Sequence, residues 1–369
     1  MFNWIQRLFS SKPKSRIGID IGSSSIKLVE ISSDKGARLR LETYGAAFLS
    51  GGEKGQENIL EKKMSVEGIK SEELKTTFGE ETEKFKETNL APAPDSILAV
   101  FSNEEIGRVI KELLVRSGAK TNIIYFSLPV FASFATTFKM PVLPQNELAA
   151  AIPFEAKKYI PVPLEEVVLD WNIVGRVSAN EKNISAQTFI DGKEEKTVEI
   201  FLVAILKNVI DRYFEISRLS NLSVSALEPE SISLARSLAG SKSVVLVDVG
   251  SFFANINLIE QGIAKIIHNI KKPTGTDGKI DKEKLLEEAQ KVLNQYRGQG
   301  GAIKEGEFKY IFTGGGASGE LADFFREKLG KEIILGNPFS ELDYPAGIEK
   351  SLEEISPIFG VAAGAAMRN

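Results

Sequence analysis

One short pattern occurs twice in this chain and constrains the fold more than any other feature. Near the start stands Arg16-Ile-Gly-Ile-Asp-Ile-Gly-Ser-Ser-Ser-Ile-Lys-Leu-Val-Glu-Ile31. An apolar run enters Asp20-Ile-Gly22, and a second leaves the serines. This reads as strand, tight turn, strand, with a third strand over residues 39–48. Much later, Ser243-Val-Val-Leu-Val-Asp-Val-Gly250 repeats the approach. Strands over 255–259 and 263–270 follow it. Such an internal repeat predicts two halves built on similar sheets and related by a pseudo-two-fold. With 369 residues, each half has enough chain for its own core.

Between and after the repeats, apolar spacing predicts the other elements. A helix is expected over 103–117, with Ile106, Val109, Ile110, Leu113 and Leu114 on one side and Gly118 as its stop. Strands are expected over 123–128, 131–140, 167–174 and 197–206. Asp191-Gly192 is a hairpin signal between the last two. Further helices are expected over 144–159, 208–219, 231–238 and 319–329. Residues 50–94 are rich in Glu, Lys, Thr and Gly and poor in large apolar groups. Such a stretch cannot build a core, so it reads as a solvated insertion, partly helical or disordered.

Residues 1–16 form a leader in which Phe2, Trp4, Ile5, Leu8 and Phe9 precede Lys12, Lys14 and Arg16. A short amphipathic helix on an anionic membrane or a partner fits this pattern. A loosely ordered end whose apolar groups pack on the domain fits it better. The run is too short and interrupted for a signal-peptide core, and no apolar run reaches bilayer length. The chain is expected to be soluble and not exported.

Composition removes several chemistries. The formal net charge is −4, which argues against a general nucleic-acid binder, though a local basic patch stays open. There is no cysteine, so disulfides, thiolate metal sites and a cysteine nucleophile are excluded. The single histidine, His268, leaves little room for a histidine metal site or a histidine-centred triad.

What remains points to phosphate chemistry. In Asp20-Ile-Gly-Ser-Ser-Ser-Ile-Lys27, Gly22 lets backbone approach phosphate oxygens. Ser23, Ser24 and Ser25 supply hydroxyls and amides, and Lys27 supplies a cation. Asp20 suits magnesium held through water. Asp248-Val-Gly-Ser251 offers a second acid, Asp248, a second close-approach glycine, Gly250, and Ser251. Two such turns facing each other clamp a polyphosphate. Tyr310-Ile-Phe-Thr-Gly-Gly-Gly-Ala317 puts Gly314, Gly315, Gly316 and Ala317 between a strand and a helix, a bare shelf on which an adenine can lie. Each motif alone also fits an ordinary turn; the set favours a nucleotide. Glu228, in Ala226-Leu-Glu-Pro-Glu-Ser-Ile232 between the halves, has two readings. It orients an attacking or magnesium-bound water, or it is a helix-start carboxylate facing the dipole.

In their order, these motifs resemble the actin-like ATPase superfamily, which includes actin, DnaK-type chaperones, sugar kinases and FtsA. The turns at Asp20 to Lys27 and Asp248 to Ser251 look like its two phosphate motifs, and Gly314 to Ala317 like its adenosine motif. Glu228-Pro229 looks like the chaperones' interdomain connector. Three further stretches resemble the PilM family of type IV pilus assembly. They are Lys139-Met-Pro-Val-Leu-Pro-Gln-Asn-Glu-Leu148 with Ala151 to Trp171, then Gly336-Asn-Pro-Phe339, then Ser356 to Arg368.

The resemblance implies an α/β, actin-like two-domain fold with duplicated ribonuclease H-like sheets and an extra small subdomain. The expected division is leader 1–16, first domain 17–240, second domain 241–336 and a segment 337–369 returning to the first. Within the first domain lie the insertion 50–94 and a partner-binding subdomain 131–206. The resemblance also implies ATP or ADP with Mg2+, and capture of the N-terminal cytoplasmic tail of a PilN-like inner-membrane protein. It implies a cytoplasmic place at the inner membrane face and leaves self-association open. Phe154, Tyr159, Ile160 and Trp171 are the candidate peptide contacts, though each taken singly reads more readily as core.

Two departures from the family stand out. A threonine usual near Ala254, facing the phosphates, is absent, and bulky Phe252 and Phe253 flank the position. Residues 271–307 look short and lack the usual long helical part. Both predict slow or absent hydrolysis. An FtsA-like division tether is the alternative, but its C-terminal membrane helix is not expected after Ala366. A small-molecule kinase of the superfamily needs a spare catalytic base, and the sequence offers no further Asp motif for it.

Overall fold

A computed structural model describes residues 14–33, 38–48, 97–174, 197–240, 242–275, 278–299, 301, 307–345 and 347–368. The leader up to residue 13, the insertion 50–94 and the Asp191-Gly192 turn lie outside these residues.

The chain opens with a meander, β1 (Ser15–Ile21), β2 (Ser25–Ser32) and β3 (Arg40–Phe48). Helices α1 (Ile97–Val100) and α2 (Asn103–Ser117) follow, then β4 (Ile123–Leu128). Helix α2 has the expected bounds for identifiable reasons. Ser102 and Glu105 form a capping box, and Gly118 closes the helix at φ 69°. Its buried residues Ile106, Val109, Ile110 and Leu113 recur at helical spacing.

A small sheet then leaves and returns. It comprises β5 (Ser133–Pro141), α3 (Gln145–Ala156), β6 (Val167–Ile173) and β7 (Thr197–Leu206), in the order β5-β7-β6 and antiparallel throughout. Helix α3 stops three residues before the expected end at 159. Next come α4 (Lys207–Leu219), β8 (Ser223–Pro229) and α5 (Glu230–Leu234), which continues as one π-helical turn over Ala235–Ala239.

The second meander is β9 (Val244–Val249), β10 (Phe253–Glu260) and β11 (Ile263–Lys271). It is followed by α6 (Lys282–Gly298), β12 (Lys309–Thr313), α7 (Gly319–Leu329) and β13 (Ile333–Leu335). Helices α8 (Glu349–Ile355) and α9 (Gly360–Ala366) close the chain.

Two five-stranded sheets result, ordered β3-β2-β1-β4-β8 and β11-β10-β9-β12-β13. In each, an antiparallel meander is extended by two parallel strands. The duplication expected from Asp-x-Gly is therefore real at the level of topology. The first sheet packs one face on α2 and α4 through Ile17, Ile19, Phe126 and Tyr213. The second packs one face on α6 and α7 through Val247, Ile256, Val292 and Phe325. Helices α5 and α9 lie between the sheets. Val29, Ile31 and Ala362 share one cluster, while Leu234, Leu246 and Val361 share another.

That sandwich needs glycine where backbones meet. A Cβ on Gly18 of β1 would lie 2.0 Å from the Ala362 carbonyl oxygen, and one on Gly364 would lie 1.9 Å from that of Ser233. Neither overlap is survivable in a close-packed interior.

Three expectations need correction here. Arg16, counted as the last residue of the leader, belongs to the fold. It sits in β1, is buried, and donates from Nε to the Ala366 carbonyl at 2.5 Å. The connector around Glu228 is strand β8, which completes the first sheet beside β4. Residues 271–307 hold a helix that the sequence reading did not place: α6 is 17 residues long, with Asp281 as its cap and Leu285, Ala289, Val292 and Tyr296 buried. Those apolar positions recur at helical spacing among the lysines and glutamates, a signal the charged composition hides.

Candidate functional site

The two Asp-x-Gly hairpins have the same covalent plan. In the first, Gly22 N–H donates to the Ser25 carbonyl at 3.0 Å; in the second, Gly250 N–H donates to the Phe253 carbonyl at 2.9 Å. Four-residue turns therefore join β1 to β2 and β9 to β10. The turns meet: Ser24 Oγ and Ser251 Oγ are 2.5 Å apart. The sequence elements Asp20, Gly22, Ser24, Lys27, Asp248, Gly250 and Ser251 are thus brought to one cleft between the sheets.

Register decides which side chains face the cleft. Seven residues after each aspartate, the returning strand lies directly opposite it. Asp20 is paired with Lys27 and Asp248 with Asn255. Lys27 Nζ lies 3.0 Å from Asp20 Oδ2, and both are largely buried. Asn255 donates from Nδ2 to Asp248 Oδ2 at 3.4 Å and to Glu230 Oε1 at 2.7 Å.

The glycine shelf rests on the end of β9. Gly316 N–H donates to the Val249 carbonyl at 2.8 Å, and Gly314 N–H to that of Pro357 at 2.8 Å. A Cβ at Gly314, where φ is 88°, would lie 2.5 Å from Asp248 Oδ1, and one at Gly316 would lie 2.5 Å from Val249 Cγ1. Two of the three glycines are thus required by the protein's own packing. Only Gly315 has nothing within 4 Å of a added Cβ. Ala317 turns its methyl toward the second core.

Glu228 is the clearest correction. Its carboxylate is buried and engaged on every side. Arg236 reaches Oε1 at 2.5 Å and Oε2 at 2.9 Å, Arg368 reaches Oε2 at 2.8 Å, and Ser233 donates to Oε1 at 2.7 Å. A carboxylate so paired ties β8, α5 and the C-terminal helix together, and has no lone pair left over for positioning a water. The acid that joins Asp20 and Asp248 is Glu230, two residues on. Burial pushes its pKa well above the ordinary value, and the charges of Asp248 and Asp20 add to this; the Val130 N–H and Lys27 oppose them. Burial, then the charge of Asp20, raises Asp248 from 3.8 to about 6.

Ala254 is the second correction. Its methyl is fully buried with Val245, Val247 and Ile256 in the second core. On a strand, neighbouring side chains point to opposite faces, so the cleft belongs to Asn255. A hydroxyl at 254 would enter the core. The Ala254 side chain therefore does not line the cleft, and it is Asn255 that stands there. Sequence reading missed Glu230 and Asn255. For Asn255 the seven-residue spacing, equal in both hairpins, was the available signal; for Glu230 there was none.

The donor set suits a polyphosphate with a divalent cation. Three enclosed acids face a single lysine, and the buried Ser127 Oγ, in register beside Asp20, has no partner among the described residues. No group of three or more acids among the described residues is close enough to hold a metal directly.

The small sheet carries its own features. Phe154 is 71% exposed and Tyr159 43%, whereas Ile160 is 6% exposed and belongs to the core. Trp171 is half-buried against that core. Among the described residues no helix is long and apolar enough to cross a membrane.

Residues 98–275 match the family model described as type IV pilus assembly protein PilM. Among solved structures, the PilM-PilN type IV pilus biogenesis complex aligns with a TM-score of 0.67 at 18% identity, covering 97% of this chain and 99% of that one. Ethanolamine utilization protein EutJ from Carboxydothermus hydrogenoformans aligns at 12% identity over 97% of this chain and 91% of that one, with a TM-score of 0.43. The cytoplasmic domain of EpsL, of the Vibrio cholerae type II secretion system, aligns at 8% identity over 92% of each chain, with a TM-score of 0.42. These last two share too little to carry an argument. The resemblance read from the sequence is borne out: the chain is similar to the PilM family of type IV pilus assembly proteins in sequence over residues 98–275 and in actin-like fold over 97% of its length.

Proposed function

We propose that this chain is an actin-like scaffold of type IV pilus assembly that binds ATP or ADP with Mg2+ between its two large sheets. On this reading Gly22, Ser23, Ser24, Ser25 and Lys27 hold the phosphates from one side, and Gly250 and Ser251 from the other. Gly314 to Ala317 form the shelf for the base. Asp20 and Asp248 hold the cation through water. The observation that carries the reading is the meeting of the two hairpin turns at Ser24 and Ser251, with their acids behind them. A second phosphate turn is superfluous in an ordinary hairpin protein. The cation, when bound, supplies the positive charge that three acids and one lysine lack; the protein's part is to orient and enclose.

The small sheet is the proposed seat of the partner, an extended N-terminal tail of a PilN-like inner-membrane protein. Exposed Phe154 and Tyr159 and the outer edge of β6 support this placement. Peptides commonly add to a sheet edge and bury alternate side chains. The protein would then sit in the cytoplasm, at the inner face of the membrane, held chiefly by that tail. Calorimetry with ATP and Mg2+, with and without the tail peptide of the membrane protein encoded beside it, tests both parts. Binding of both ligands is expected, and Asp20→Ala should weaken only the magnesium-dependent nucleotide signal. Absence of any signal at millimolar ATP and Mg2+ refutes the nucleotide site.

A further inference from the structure

The duplicated hairpins place different groups at equivalent positions, and the difference is informative. Opposite Asp20 stands a cation, Lys27; opposite Asp248 stands a neutral amide, Asn255. Asn255 is 5% exposed and is aimed by its other neighbour. Asn269, opposite it on β11, donates from Nδ2 to Asn255 Oδ1. An asparagine has one oxygen and one NH2 group, so fixing the oxygen toward Asn269 turns both N–H bonds toward acids. One goes to Asp248, on the second sheet. The other goes to Glu230, at the head of α5 where the chain leaves β8 of the first sheet. Two enclosed carboxylates from opposite sides of the cleft are thus held together by one uncharged donor.

We propose that Asn255 is a positioning residue that keeps Asp248 and Glu230 side by side without a cation, so that nucleotide enters and stays in the cleft even when no divalent ion is present. The inference rests on the nucleotide reading above. Ionised, the two acids repel in a low-dielectric cleft, and a proton or a donor must offset this. In the first hairpin Lys27 does so with charge. In the second, Asn255 does so with one hydrogen bond to each acid. Replacing its amide by a carboxylate gives four acids around one lysine. That arrangement closes only around a divalent cation, so the cation changes from a helper into a requirement.

The test is Asn255→Asp in the full chain, with ATP affinity measured by calorimetry in chelator and in saturating Mg2+. Melting temperature of the ligand-free protein is read with and without Mg2+. In chelator the variant should bind ATP at least about tenfold more weakly than wild type, the scale of one lost charged hydrogen bond. In saturating Mg2+ the difference should shrink to about threefold or less, under 1 kcal/mol. Mg2+ alone should raise the melting temperature of the variant more than that of wild type. A loss of equal size in both conditions means a merely structural residue and overturns the proposal, as does no change. Asn269→Ala adds no charge and only frees the amide to turn. It should lose a few-fold in chelator and nothing in Mg2+; unchanged binding in chelator also overturns the proposal, whether or not Asn255→Asp folds. If wild type binds no nucleotide in either condition, the nucleotide reading falls and takes this inference with it. If wild type binds and neither variant differs, this inference alone falls.

Discussion

The two hairpins begin alike and end differently. Each runs Asp-x-Gly, makes a four-residue turn, and returns with an apolar residue at the sixth position after the aspartate and a polar one at the seventh. The sixth positions are Ile26 and Ala254, both buried in their cores. The seventh are Lys27 and Asn255, both turned to the cleft. Duplication conserves the geometry because it is set by backbone pairing, which depends on spacing and turn type. Chemistry at the seventh position is free to diverge, since neither core depends on it. One half therefore meets a ligand with charge and the other with an amide.

The sharpest way to break this comparison is to make the first hairpin like the second. Lys27→Asn leaves Asp20 without its ion pair and removes the cation facing the phosphates. ATP affinity in Mg2+ should fall on the order of 100-fold, as for loss of one buried charged contact. Titration calorimetry reads it directly; a loss under threefold would show that the two seventh positions are interchangeable.

A pH series tests the second hairpin. Asp248 has a folded pKa of about 6 against 3.8 as its ordinary value. The folded protein then holds this proton more tightly than the unfolded chain does. Its contribution to stability is fully present below about pH 4 and is lost as pH rises through about 6. Ligand-free protein should lose about 2 kcal/mol from this group between those limits, allowing for water admitted by the cleft. Denaturant unfolding at pH 4.5 and 7.5 measures the change, and Asp248→Asn should flatten it. An equal slope in the variant would assign the effect elsewhere.

The smallest expected effect concerns the sixth position. Ala254→Thr places a hydroxyl and a methyl in a full core, at a cost of about 1 kcal/mol. Nucleotide affinity should not change, because the side chain never reaches the cleft. Tighter ATP binding by this variant would mean that residue 254, not 255, faces the ligand.

Much of the fold was legible because it is local. Helix α2 carries its own cap, its own apolar stripe and its own terminating glycine, so its bounds follow from the sequence. The strands of both meanders announce themselves by apolar runs between turns. Strand β8 was missed for the opposite reason. Ser223 to Pro229 is short and mixed, and becomes a strand because β4 offers it a parallel edge. Helix α6 was missed because charge obscured a clean apolar spacing.

At the site, the sequence by itself determined which residue types converge: two acids, a lysine, serines and a run of glycines in a fixed order. It also determined the seven-residue spacing on which the site is built. Only the tertiary structure decided between Glu228 and Glu230. The two lie two positions apart in one motif, and nothing local separates them. Arg236 and Arg368, the latter 140 residues away in sequence, close around Glu228. Glu230 is left to Asn255 and the cleft. Which carboxylate is satisfied and which stays poised depends on who arrives from distant parts of the chain. Burial and pairing are properties of the assembled interior, where desolvation makes each partner decisive.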